Sequence, residues 1–269
     1  MTPDEWLHAL PSRYQGSMTR SEYLKAIRAL SARYVERRGT LPDRSPLDSA
    51  GKRAAFAGFY APLHFLTTRA IVSALARNAA VPSSIHDLGC GTGVASAAWA
   101  TLCATRPLVT GVDTSAWALD QARETWRGLG LNGRGVRGDL VTELERLASA
   151  RTAKPANDES SGGVVLGWSL NELDRAARDR AEAALFALAA RKTQILVIEP
   201  VARRLVPWWE SFAERGIAAG ARADEWRFTD PLPPVLADLD RDAGFDRDGL
   251  TARSLAFGWG QTSGSDPGV

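Results

Sequence analysis

Cysteine is scarce: Cys90 and Cys103 are the only two in 269 residues. Two thiols exclude a disulfide framework and supply no metal-ligating cluster. No apolar run reaches membrane-spanning length. Met1 to Leu10 carries Asp4, Glu5 and His8, so it lacks the basic and apolar stretches of a secretory signal. Together these absences point to the reducing cytoplasm, away from the membrane. No internal repeat is visible, and neither sign of charge dominates, with 33 Lys and Arg against 31 Asp and Glu. What is present is enough apolar material for a full core, 45% of residues, which excludes global disorder. The length suits one α/β domain with a helical attachment, or two small domains.

The charge is unevenly spread. Residues 1–80 hold 12 Lys and Arg against 6 Asp and Glu, whereas residues 81–269 hold 21 against 25. A basic segment on an acidic one fits either a polyanionic partner or ordinary solvated helix faces.

Along the chain, Thr19 to Arg38 reads as a helix capped by Ser21, with Tyr23, Ile27, Leu30 and Tyr34 at helical spacing. Gly39, Pro42 and Pro46 end it in a loop. Arg53 to Arg77 reads as one or two more helices, with Pro62 starting or kinking the second. From Ile85 onward, short apolar runs alternate with amphipathic stretches. Strands are expected at Ser84–Leu88, Leu108–Val112, Gly135–Arg137, Val164–Trp168 and Gln194–Ile198. Helices follow at Val94–Ala104, Ser115–Gly128, Leu140–Ala150, Glu172–Arg191 and Val206–Arg215. That alternation implies parallel pairing and a doubly wound α/β sheet. Ser254–Trp259 is expected as a last strand, antiparallel and at the edge. Trp226 to Gly249, broken by Pro231, Pro233 and Pro234, gives no clear element. Arg151–Gly163 and the Gly/Ser-rich end read as a surface loop and a tail.

The chemistry concentrates at His86-Asp87-Leu88-Gly89-Cys90-Gly91-Thr92-Gly93, between an apolar strand and a helix. Glycines let the backbone turn sharply and approach a ligand. The helix start adds free N–H groups, and such crevices lie at the carboxyl ends of strands. Asp113 ends the second strand, where a carboxylate accepts hydroxyl protons from a ribose. Asp139 ends the third, where it could accept from an adenine amine. A dinucleotide-dependent oxidoreductase is the rival reading, but its usual spacing is Gly-x-Gly-x-x-Gly.

Asp87-x-Gly89-x-Gly91-x-Gly93, with Asp113 and Asp139, resembles the nucleoside-binding motifs of class I S-adenosylmethionine-dependent methyltransferases over about Ile85 to Pro200. The resemblance implies a Rossmann-like fold and S-adenosylmethionine as cofactor. Its site would comprise Asp87, Gly89, Cys90, Gly91, Gly93, Asp113, Thr114, Asp139, Leu140 and Trp168. The fourth strand would end beside the transferring methyl group, making Ser169, Asn171 and Glu172 candidates for orienting the acceptor or taking its proton. Asn171 could equally cap the next helix. Residues 1–80 would form a helical lid or substrate platform on the methyltransferase domain, residues 81–260, with residues 261–269 as a flexible tail. His64 is a candidate base, because Tyr60–Leu66 could cover the pocket. Cys90 needs only to be small. Trp208, Trp209 and Trp226 could stack on a flat substrate or simply pack. Glu199 could reach substrate or cap a loop.

A narrower resemblance rests on Phe59-Tyr60-Ala61-Pro62-Leu63-His64-Phe65-Leu66, Ser169–Leu173 and Leu196–Pro200. These are similar to the methyltransferase-like proteins of the small ribosomal subunit. That family often carries an iron–sulfur cysteine cluster, which two cysteines cannot supply. The expected acceptor is a small molecule or RNA. The alternative is a ribosome-assembly scaffold that binds the cofactor without turnover.

Overall fold

The computed structural model describes residues 1–36, 47–76, 79–150 and 162–259, with side chains at 33–36 excepted. Gly39, Pro42, Pro46, most of the polar stretch 151–163 and the tail therefore lie outside the described residues, as does the side chain of Tyr34.

Five strands run β1 (Ser84–Leu88), β2 (Leu108–Asp113), β3 (Gly133–Arg137), β4 (Gly162–Gly167) and β5 (Gln194–Glu199). All pair in parallel, Asp87 opposite Gly111 and Val165, so their carboxyl ends line up on one rim. Two more strands, β6 (Arg222–Phe228) and β7 (Leu250–Phe257), complete the order β3-β2-β1-β4-β5-β7-β6. This is the doubly wound α/β sheet implied by the alternating pattern, in the Rossmann-like form that the resemblance implies. The last strand differs from expectation. It starts at Leu250, and it lies inside the sheet, antiparallel to both β5 and β6. The edge belongs to β6, whose Arg-Ala-Asp-Glu-Trp-Arg-Phe sequence is too charged to announce itself as a strand, and charge suits an unpaired edge.

Along β4 and β5 apolar side chains alternate between the two faces, as the period of a strand requires. Val165, Leu196 and Ile198 join one core with Ile71, Trp99 and Trp126. Val164, Ile195 and Val197 join the other with Leu144, Leu185 and Phe212. The first face is covered by helices α4 (Ala61–Leu75), α5 (Val94–Leu102) and α6 (Ala116–Gly128). The second is covered by α7 (Leu140–Ser149), α8 (Arg175–Ala189) and α9 (Trp209–Ala218).

The N-terminal segment is more helical than its sequence suggests. It begins with α1 (Pro3–Gln15), opened by a capping box between Thr2 and Glu5. Next comes α2 (Arg20–Glu36). Its start is capped by Thr19, not Ser21: Glu22 N–H donates to Thr19 Oγ1 (3.3 Å), and Thr19 N–H donates to Glu22 Oε2 (2.8 Å). Beyond the undescribed stretch, α3 (Ala50–Ala55) runs through a π-helical turn, Phe56–Tyr60, into α4. Pro62 in the first turn of α4 cannot donate a helical bond. Just before it, Ala61 N–H bonds five residues back to Phe56 C=O, which widens the turn. Gly58 is required within it, since a Cβ would lie 2.2 Å from Tyr23 Oη. The segment then packs Tyr23, Ile27, Leu30, Phe59 and Leu63 on Leu236 and Leu239 of α10 (Pro234–Asp242), the element that the proline-rich stretch hid.

Candidate active site

Hydrogen bonding fixes the loop after β1 from below. Gly89 and Cys90 N–H both donate to Val112 C=O, at 2.9 and 3.0 Å. Gly89, Gly91 and Gly93 have φ of +69°, +51° and +73°, where side chains are strained. Their neighbourhoods separate their roles. At Gly93, the residue preceding α5, a Cβ would meet Trp126 at 2.8 Å, so this position is filled by packing. At Gly91 a Cβ would meet only the Phe56 ring, in ordinary contact at 3.8 Å, and the loop there lines the cavity.

Asp113 closes the loop from the next strand. Its Oδ2 accepts from Gly91 N–H (2.9 Å) and its Oδ1 from Ser115 N–H (2.8 Å), which ties the two crossovers together. Asp87 is 1% exposed. Ser96 N–H donates to its Oδ2 (3.0 Å), while Oδ1 is buried with no hydrogen-bond partner. Burial, opposed by the Ser96 bonds and aided by the charge of Asp113, pushes the Asp87 carboxyl up to about 7. Burial first, then the nearby carboxylates, also push the Cys90 thiol well above its ordinary value, so it presents no thiolate nucleophile.

A cavity of about 690 Å³ opens at this rim. Asp87, Gly89, Cys90 and Gly91 line it from the first crossover, Asp113 and Thr114 from the second, and Asp139 and Leu140 from the third. Asp139 also caps α7, its Oδ1 accepting from Thr142 N–H at 2.8 Å. From β4 come Trp168 and Ser169. Trp168 holds a left-handed φ of +56°, rare for a bulky side chain. Its ring stacks on His64 of α4, centroids 3.9 Å apart and planes 9° apart. Burial, and secondarily the charge of Arg247, lowers His64 to about 3, so the imidazole is neutral. Ser169 Oγ donates to Leu88 C=O (3.1 Å), and Glu172 lies on the wall.

Two of the residues expected at the site lie elsewhere. Gly93 is absent from the wall for the packing reason given. Asn171 is absent too: its N–H (3.1 Å) and its side-chain amide both donate to Glu199, which is fully buried at the end of β5. Nor does Asn171 cap the next helix, because Asp174 does so, accepting from Ala177 N–H at 2.8 Å. Glu199 thus anchors the turn that carries Trp168 and Glu172. Trp208, Trp209 and Trp226 pack instead of lining the cavity: the first two meet Phe212, and Trp226 stacks on Phe228.

The cavity also draws on residues outside the glycine loop and the strand ends, including the expected Tyr60–Leu66 segment. Phe56, Tyr60 and His64 form a wall supplied by the N-terminal helices. Arg247 joins them from the loop before β7. Its signal is conformational: Asp246 before it has φ +49°. Among the described residues, no cluster of His, Cys, Asp and Glu is arranged to hold a metal, and no helix is long and apolar enough to cross a membrane.

Comparison with known proteins falls on the same region. Residues 85–188 match the family model of a methyltransferase domain. No curated protein matches the chain significantly. Among solved structures, a Nostoc punctiforme protein assigned as an O-methyltransferase superposes with TM-score 0.52 at 14% identity, covering 88% of this chain and 72% of its own. A SAM-dependent methyltransferase from Aquifex aeolicus gives TM-score 0.44 at 13% identity, over 72% of this chain and 90% of its own. At 14% identity the likeness to the Nostoc punctiforme structure is one of fold.

Proposed function

We infer that the chain is a class I S-adenosylmethionine-dependent methyltransferase, with residues 81–260 as its methyltransferase domain and its cofactor seated between the glycine loop and Asp113. The observation that carries the placement is the pair formed by Asp87 and Gly91. Asp87 Oδ1 is a buried acceptor without a partner, and Gly91 lines the cavity at a point where a Cβ would meet only the Phe56 ring, at 3.8 Å. A buried unpaired acceptor is costly. The ammonium of the cofactor's methionine part satisfies it, and the Cβ-free loop leaves room for that part. Asp113 at the end of β2 suits the ribose hydroxyls, and Asp139 and Leu140 suit the adenine side. Cys90, Thr114 and Trp168 complete the wall.

Bound there, S-adenosylmethionine supplies an electrophilic methyl group on a sulfonium whose departure as a neutral thioether needs no acid. The protein's tasks are then to orient the acceptor, exclude water and receive a proton. His64, neutral and held against Trp168, offers a ring nitrogen that accepts a hydrogen bond from the acceptor. Glu172 is the wall carboxylate suited to take the proton. Asn171 acts at one remove, holding this turn through Glu199. Residues 1–80 serve as the platform that closes the acceptor end, because Phe56, Tyr60 and His64 come from it. The proposed acceptor is a small molecule. The excess of Lys and Arg in residues 1–80 supports RNA as the second reading. The proposed compartment is the reducing cytoplasm, in keeping with the free thiols of Cys90 and Cys103.

Incubating the protein with methyl-labelled S-adenosylmethionine and fractionated cell extract tests this. Label is expected in a small-molecule fraction, and label in RNA selects the second reading. Binding of the demethylated product without label in any fraction would replace the enzyme by a cofactor-binding scaffold. Binding of a nicotinamide dinucleotide in its place would overturn the cofactor.

A further inference from the structure

Among the described residues, three of the four wall carboxylates gather at one end of the cavity. The carboxylates of Asp87, Asp113 and Asp139 surround the glycine loop, where a sulfonium cofactor needs negative potential. Among the described residues lining the cavity, Arg247 is the one Lys or Arg. Its guanidinium carbon stands 5.4 Å from the ring centroid of Phe59 in the π-helical turn, and it shares the wall with Phe56, Tyr60 and His64, which places it at the acceptor end.

The guanidinium is held in place before any ligand arrives. Arg247 Nη1 donates to Asp240 Oδ1, and Arg247 N–H donates to Asp240 Oδ2 (2.8 Å). Asp240 is 3% exposed. The guanidinium carbon lies 4.5 Å from the centroid of the Phe245 ring and 5.4 Å from that of Phe59. An arginine has five N–H donors in a rigid fork, so the Asp240 contact does not exhaust it. A bare structural salt bridge accounts for the pairing with Asp240. It does not account for the place of Arg247 on the cavity wall.

We propose that Arg247 is a specificity-determining residue that binds an anionic group, a carboxylate or phosphate, of a small flat acceptor whose body lies against Phe56, Tyr60 and the His64–Trp168 stack. This rests on the assignment of that end of the cavity to the acceptor. A polynucleotide is the poorer fit, because gripping a phosphate backbone takes several Lys and Arg and the described residues of the wall offer one. Aromatic faces and a single cation instead suit a compact ring with one anionic substituent.

The test uses the full chain saturated with S-adenosylhomocysteine and two matched pairs of probes: 4-hydroxybenzoate against 4-hydroxybenzamide, and phenyl phosphate against phenol. Binding is read by tryptophan fluorescence and calorimetry. At least one anion is expected to bind about tenfold or more tighter than its neutral partner, the order of one charge-assisted hydrogen bond. In Arg247→Gln the preference disappears while S-adenosylhomocysteine affinity is kept, and Arg247→Lys keeps part of it. Because Arg247→Gln strands Asp240, the double variant Arg247→Gln/Asp240→Asn guards against misfolding and should show the same loss. Equal affinity within both pairs, no binding of either anion, or a preference that survives Arg247→Gln would overturn the proposal. Failure of S-adenosylhomocysteine to bind at all would instead overturn the cofactor assignment, so the two failures are separable.

Discussion

In the proposed site, two carboxylates at the carboxyl rim would divide the work of holding a cationic nucleoside. Asp113 is tied to Gly91 and Ser115 N–H groups, so Asp113→Ala removes both the ribose acceptor and a brace of the loop. Calorimetry should show cofactor affinity weakened by about 1–3 kcal/mol, the order for stranding buried hydrogen-bond partners. Asp87 behaves differently, because burial lifts its carboxyl to about 7. A raised acid binds a proton in the folded state that the unfolded chain has already lost. Its contribution therefore lowers the stability of the cofactor-free protein as pH climbs from about 4 to about 7. A cationic ligand favours the ionised form, so cofactor affinity should rise between about pH 6 and about pH 8 and flatten in Asp87→Asn. A flat wild-type profile would place the ammonium elsewhere. At this scale the glycine loop and its acids were legible because their chemistry is local: a strand end, small residues and a carboxylate. Asn171 was not, because its meaning depends on Glu199, 28 residues away. Arg247 was not, because only folding brings its loop to the rim.

Among the elements, those of the parallel sheet were readable from alternation alone, and β1 matched residue for residue. The misses have separate physical causes. The edge strand β6 carries four charged residues among seven, α10 hides behind prolines, and α1 is opened by a capping box and carries Pro11 inside it. The π-helical turn at Phe56–Tyr60 carries no sequence signature beyond Pro62, yet it places Phe56 and Tyr60 on the cavity wall. Such wide turns recur at functional sites. Gly58→Ala should cost about 1–3 kcal/mol of stability by overpacking against Tyr23, measurable by urea unfolding. It should also lower turnover more than cofactor affinity, since the displaced aromatic wall belongs to the acceptor end. Unchanged stability would mean that the turn relaxes freely.

In the whole molecule, the N-terminal helices and the sheet share buried cores. Trp6, Leu7 and Leu10 pack with Trp126 and Leu129, and α2 packs on α10. The chain should therefore unfold in one transition, with S-adenosylhomocysteine at a hundredfold excess over its dissociation constant adding about 2.7 kcal/mol. Two separated transitions, only one of them ligand-sensitive, would detach the platform from the site. The most direct measurement is a crystal structure of the full chain with S-adenosylhomocysteine. The nucleoside should lie over Gly89–Gly91, its ribose hydroxyls on Asp113 and its amino group toward Asp87 Oδ1. A nucleoside bound away from this loop, or a cavity left empty at saturating ligand, would contradict the assignment.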